Sequence, residues 1–172
     1  MSDEKKPVIK IAYSKLEKAF EVISLIGIAL NVYIILRYYS VLPDTIPRHY
    51  GAAGVPDGYS GKSFLFFIPI VMLSLYVLLT VLSRFPHTFN YAVEINEENA
   101  KAQYHAARIM MIIMKAEIVC CFTYIEGKTV MVALGKATGL GIGFLPVFLI
   151  IIFGTIGVYI NKSLKINKKE KI

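Results

Sequence analysis

The 172-residue chain has no tryptophan and only two cysteines, and it carries none of the common hydrolase signatures. Without tryptophan, any aromatic belt at a membrane interface must come from tyrosine and phenylalanine. The cysteines are neighbours, Cys120 and Cys121, inside an apolar run. Adjacent cysteines rarely make a useful disulfide, so they are expected to be packing residues rather than a redox framework. No HExxH, GxSxG or paired intramembrane aspartate occurs, and Ser63 with His49 makes no triad. Enzyme activity is therefore not expected, with the 42–63 segment the one place where it would remain conceivable. No cleavable signal peptide and no lipidation motif are expected either.

What the chain has is apolar length. Hydrophobic residues make up 56% of it, and its mean hydropathy is +0.58. Four runs stand out: Phe20–Tyr39, Phe64–Leu82, Ile109–Ile125 and Leu140–Ile160. A hydrocarbon core about 30 Å thick needs roughly 20 helical residues to cross it. Backbone polar groups in lipid must be satisfied within the segment, so each run is expected to be a helix. The expected fold is an all-α, four-transmembrane-helix bundle with a long ordered loop between helices 1 and 2. The expected organisation is a basic segment 1–18, a membrane domain 19–162 and a basic tail 163–172.

Net charge is +7, and the lysines cluster at the ends of the apolar runs. This is the pattern of the positive-inside rule, with anionic lipid as the partner rather than nucleic acid. Lys5, Lys6, Lys10, Lys15 and Lys18 precede the first run, and Lys162, Lys165, Lys168, Lys169 and Lys171 follow or close the last. Arg84, Lys101 and Arg108 mark the second connection. Both termini are thus expected in the cytoplasm, with residues 40–63 and 126–139 outside. Arg37 is expected to snorkel to the interface beside Tyr38 and Tyr39.

The segment 1–18 reads equally as a short amphipathic helix, using Ile9, Ile11, Ala12 and Leu16, or as a frayed tail. Residues 42–63 contain three prolines after Leu42 and several glycines, with a Pro56-Asp57-Gly58 turn signal. Such a segment is expected to hold one shape. Asn96, followed by Glu97 and Glu98, reads as a helix N-cap, and Phe89, Tyr91 and Val93 as a short extended piece on the headgroups. Asn31, Lys115 and Glu117 are intramembrane polar residues. Asn31 is expected to bond a neighbouring helix, and the charged pair defaults to a functional hypothesis. Lys115 and Glu117 are two apart and do not face each other.

Two segments carry a family resemblance. One is Leu42-Pro-Asp-Thr-Ile-Pro-Arg-His-Tyr50 with Gly54-Val-Pro-Asp-Gly-Tyr-Ser-Gly-Lys62; the other is Phe89 to Tyr104. Together they resemble the N-terminal domain of unknown function of SdpI-type bacterial membrane proteins, with Ala92 standing where that family often has proline. The resemblance implies a bacterial inner-membrane location. It also implies kinship with proteins that give immunity to a secreted toxin peptide and sequester a transcriptional repressor at the membrane. The second helical region that follows this domain in those members is not expected in this chain.

The candidate contact residues are Asp44, His49, Tyr50, Asp57, Tyr59 and Lys62. They would form a receptor patch for a peptide or protein partner. The structural alternative gives Asp44 and Asp57 turn roles, His49 a loop carbonyl and Lys62 a place capping span two. The expected function is binding, with immunity or signalling as its use, and with no cofactor. A small, oligomeric transporter using Glu117, Lys115 and Asn31 is the alternative. A metal site would have to combine His49, Asp57 and Asp44, with His87 and His105 on the far side, and none is expected.

Overall fold

The computed structural model describes residues 6–169, and of Lys169 only the backbone. Lys5 and Lys171, counted above among the basic flanks, lie outside the described residues. The described residues form four helices and one hairpin: α1 Lys15–Tyr38, β1 Thr45–Tyr50, β2 Pro56–Gly61, α2 Phe67–Ser83, α3 Ala100–Ala133 and α4 Phe144–Lys169. Short 3-10 turns lead out of α1, into α2 and out of α2. Among the described residues, three stretches are long and apolar enough to cross a membrane: Lys15–Val41, Lys62–Ser83 and Phe144–Lys168.

Helix α1 starts at a capping box. The Ser14 hydroxyl accepts the Glu17 N–H, and the Glu17 carboxylate accepts the Ser14 N–H. Two otherwise orphaned donors are thereby satisfied. The preceding residues 6–14 form no helix, so the amphipathic helix considered for this segment is not there. They run against α3 instead, and the Lys6 ammonium reaches back to the Phe89 carbonyl. Helix α3 is entered through a reciprocal cap in which Asn96 and Asn99 each accept the other's N–H, at 2.8 and 3.1 Å. No strand forms over Phe89–Val93; Tyr91 folds inward, donating to the Pro86 carbonyl and packing on Tyr104.

Cross-helix contacts give the helix directions. Arg108 meets Glu17, Lys115 meets Glu21, and the Thr123 hydroxyl donates to the Gly27 carbonyl, so α1 and α3 run parallel. Leu65, at the entry to α2, packs with Ile35 and Val130, while Thr80 near its exit meets Lys115, which sets α2 antiparallel to both. Gln103 with Ser163 and Glu117 with Thr155 set α4 antiparallel to α3. Helix α3 touches α1, α2, α4 and β1 and is the central element. Gly27 makes the α1–α3 approach possible, since a Cβ there would lie 2.6 Å from Val119 Cγ1. Small residues where helix backbones approach are what membrane packing uses in place of a hydrophobic drive.

Two expected boundaries are revised. Helix α3 runs to Ala133, so residues 126–133 are helical, not connection. Helix α4 begins at Phe144, later than Leu140, and continues past residue 163 into the expected tail. The 42–63 segment is a β-hairpin rather than a loop. Its antiparallel register pairs Thr45 with Gly61 and Pro47 with Tyr59, and it is irregular around His49.

Candidate functional site

The hairpin sits across one end of the helices and is fixed at three places. Ile46 is fully buried at its base, in a cluster with Ile35, Leu42, Leu65 and Val130. At mid-length the Tyr50 hydroxyl shares a 3.0 Å hydrogen bond with Thr129 of α3. At the tip the Gly54 carbonyl accepts the Leu140 N–H at 2.7 Å. Gly54 has φ +74°, and a Cβ there would meet the Gly141 carbonyl oxygen at 2.6 Å, so glycine is required twice over.

The six candidate contact residues divide into two sets. His49 Nδ1 and Asp57 Oδ1 pair at 2.5 Å across the strands, with side chains 71% and 53% exposed. The Lys62 ammonium lies 3.2 Å from Asp44 and over the Tyr39 ring, and Tyr59 is exposed. Exposed pairs of this kind add at most about 1 kcal/mol, so they shape a surface more than they hold it together. Tyr50 points the other way, into the helices. Burial pushes its phenol above the usual range; the Thr129 bond opposes that rise, and nearby Tyr59 and Glu126 add to it.

The three polar residues expected within the membrane are separated by the structure. Lys115, fully buried, bonds both Glu21 oxygens at 2.6 and 2.8 Å and the Thr80 hydroxyl at 2.8 Å, and lies over the Tyr76 ring. Glu117 is on another face of α3, where the Thr155 hydroxyl of α4 donates to it at 2.5 Å. It borders an apolar groove of about 630 Å³ between α3 and α4, which Cys120 and Cys121 also line as free thiols. Asn31 does not bond a neighbouring helix: its amide oxygen and nitrogen, both buried, have no partner.

Four charged residues that matter here escape a reading by apolar runs. Arg108 donates to Glu17 at 2.6 Å and to the Ile11 and Ala12 carbonyls, and lies over the Tyr13 ring. His105 Nε2 stands 3.6 Å from the same carboxylate. Glu17, Glu21 and Arg108 flank runs and look like solvated ends. Glu126 falls in what reads as an outside connection, yet it is fully buried and neither carboxyl oxygen has a partner. The signal for it was Thr123, Glu126 and Thr129 at three-residue spacing, a polar stripe on one helical face. Among the described residues no group of three or more His, Cys, Asp or Glu is placed to hold a metal ion, and His49 and Asp57 have no third acidic or imidazole neighbour.

The profile of a domain of unknown function, DUF1648, matches residues 25–73, which take in most of α1, the whole hairpin and the start of α2. An uncharacterized protein of Archaeoglobus fulgidus is 33% identical over 81 residues, covering 42% of this chain and 44% of that protein. The chain thus aligns with less than half the length of this relative. No solved structure matches. What can be stated of kinship is that this chain is similar to DUF1648 proteins across its hairpin, in a mostly helical chain with three helices apolar enough to cross a membrane.

Proposed function

We propose that the chain is a polytopic membrane protein whose hairpin recognises a peptide or protein partner outside the cell. All four helices cross the bilayer in this reading, α3 included, with both termini in the cytoplasm of a bacterial cell. The alternating helix directions support it, as do the lysine-rich ends. So does the inside-out burial pattern, with leucines and isoleucines exposed on α1, α2 and α4 and charges buried between helices. The observation that carries the binding role is the hairpin's fixation at base, middle and tip while His49, Asp57, Tyr59 and Lys62 stay accessible. A prefixed surface gives up little ordering entropy on binding. The resemblance to SdpI-type proteins supports immunity or signalling as the use, and α3 gives a direct link. It joins Tyr50 at one end to the N-terminal segment at the other through Arg108.

The test is His49→Ala and Asp57→Ala in cells challenged with a secreted toxin peptide, together with photo-crosslinking from position 59. Protection and crosslinking should fall while the amount of protein in the membrane stays constant. Unchanged protection and crosslinking in both variants sink the reading.

A small oligomeric transporter is the second reading. It is favoured by one observation, the cleft of about 430 Å³ that brings Tyr13, Glu21, Tyr76, Thr80 and Arg84 together beside Lys115. Its charged pair would be Lys115 with Glu21, not Lys115 with Glu117. Proton- or ion-linked flux in vesicles should then stop in Glu21→Gln, and flux that persists there removes the idea.

A further inference from the structure

We infer that Glu126 and Asn31 form a proton-binding site under the hairpin, and that the proton held there keeps the hairpin docked. The two side chains are fully buried and lie on facing helices. Their level follows from the parallel register of α1 and α3. One turn below, Thr123 bonds the Gly27 carbonyl; above, Ile35 and Val130 share one cluster. Asn31 and Glu126 fall between these two layers. All four of their side-chain polar atoms are without partners.

A carboxylate so placed has neither counter-charge nor donor, and burying such a charge is far costlier than neutralising it. The groups facing it confirm the deficit. From α1 comes Asn31, from β1 Tyr50, and from the same face of α3 Thr123 and Thr129; the apolar cluster of Ile35, Leu65 and Val130 lies one turn above. None is a cation, and no ion pair to Glu126 exists among the described residues.

A proton fits better than a metal cation. The hydroxyls are spent, Thr123 on the Gly27 and Val119 carbonyls and Thr129 on Tyr50. Glu126 and Asn31 offer three unpartnered side-chain oxygens, and the hydroxyl oxygens, although they keep lone pairs, are held toward other partners, whereas hard cations take about six to eight oxygens. A carboxylic acid and a primary amide are complementary instead. The acid O–H donates to the amide oxygen, and the amide N–H donates to the acid carbonyl, directly or through one water. Binding is COO⁻ + H⁺ to COOH, with no other reactant.

The roof over this pair is the hairpin. Ile46 and the Tyr50–Thr129 bond lie between it and the outside. Loss of the proton leaves a bare charge beneath the roof, next to the Tyr50 phenol, and water reaches it when the hairpin lifts. The site is independent of what the hairpin binds.

Infrared titration of the full chain in lipid nanodiscs, paired with hydrogen exchange of residues 50–56, tests this. The wild type should show at neutral pH a protonated-carboxyl stretch component that Glu126→Gln removes and Glu117→Gln keeps. Asn31→Val should shift that stretch to the position of an unbonded acid, a readout that leaves the acid itself in place. From neutral to alkaline pH, hairpin exchange corrected for its intrinsic rate should rise about tenfold or more in the wild type and stay flat in Glu126→Gln. A band that is absent at neutral pH, that sodium or potassium removes at fixed pH, or that is unmoved by Asn31→Val overturns the site. Equal exchange in the wild type and Glu126→Gln overturns the link to the hairpin.

Discussion

Helices α3 and α4 are packed side by side, and they are opposites. The most apolar window of α4 has 0% of its residues buried, and Ile150, Phe153 and Val158 face outward. Helix α3 is not among the stretches apolar enough to cross a membrane, yet it is the central element and buries Arg108, Lys115 and Glu126. In water the central helix would be the apolar one. In lipid the solvent is apolar, so outward faces need no polarity and the polar groups turn toward one another. Hydropathy therefore finds the helices at the rim and undervalues the one in the middle.

The contrast can be broken most strongly at Arg108. Arg108→Leu leaves the Glu17 carboxylate buried without its guanidinium, with only the Ser14 N–H and His105 beside it, removes the tether to Ile11 and Ala12, and should cost about 3–5 kcal/mol. Unfolding in mixed micelles would show it, and a loss under about 1 kcal/mol would mean that Glu17 reaches water.

Gly54→Ala should come next, at about 1–3 kcal/mol from the forced contact with Gly141. Its effect should be concentrated at the hairpin, read as faster exchange over residues 50–56 with the α3 core unchanged. Thr155→Val removes the one hydroxyl that α4 donates to Glu117 and should cost about 1 kcal/mol. The finest comparison uses one change on both helices. Ile112→Val, at a 1% exposed position of α3, should cost about 0.5–1.5 kcal/mol. Ile150→Val, at a 71% exposed position of α4, should stay within about 0.5 kcal/mol. Equal costs at the two positions would mean that α4 is covered by something else.

How much was legible beforehand follows from the same physics. Helices α1, α2 and α4 announce themselves by length of apolar run, but α1 starts earlier, at Lys15 rather than Phe20, and α4 is shifted as a whole, starting at Phe144 after a glycine-rich stretch and running on past Ile160 to Lys169. In that stretch Gly139 and Gly141 lie close against Gly54 and make room for the docked hairpin tip. The strands of the hairpin were hidden because their residues, Thr45–Tyr50 and Pro56–Gly61, are rich in proline and glycine, which propensity reads as turn. That the segment would hold one shape was readable from those same residues. Buried charges were the hardest. Glu17, Glu21 and Arg108 lie at run ends, where a lysine or glutamate is ordinarily solvated, and only the three-dimensional pairing shows Glu17 and Arg108 enclosed and Glu21 partly so. Lys115 and Glu117 were noticed because they interrupt a run, but a sequence gives no partner across helices, and their true partners come from α1 and α4.

The central claim is that α3, the polar helix, crosses the bilayer at the heart of the bundle. Its two ends carry exposed lysines, Lys101 and Lys136. In intact cells, with Cys120 and Cys121 replaced by alanine, a membrane-impermeant thiol reagent should label Lys136→Cys at once and Lys101→Cys only after permeabilisation. Labelling of both from the same side would contradict it.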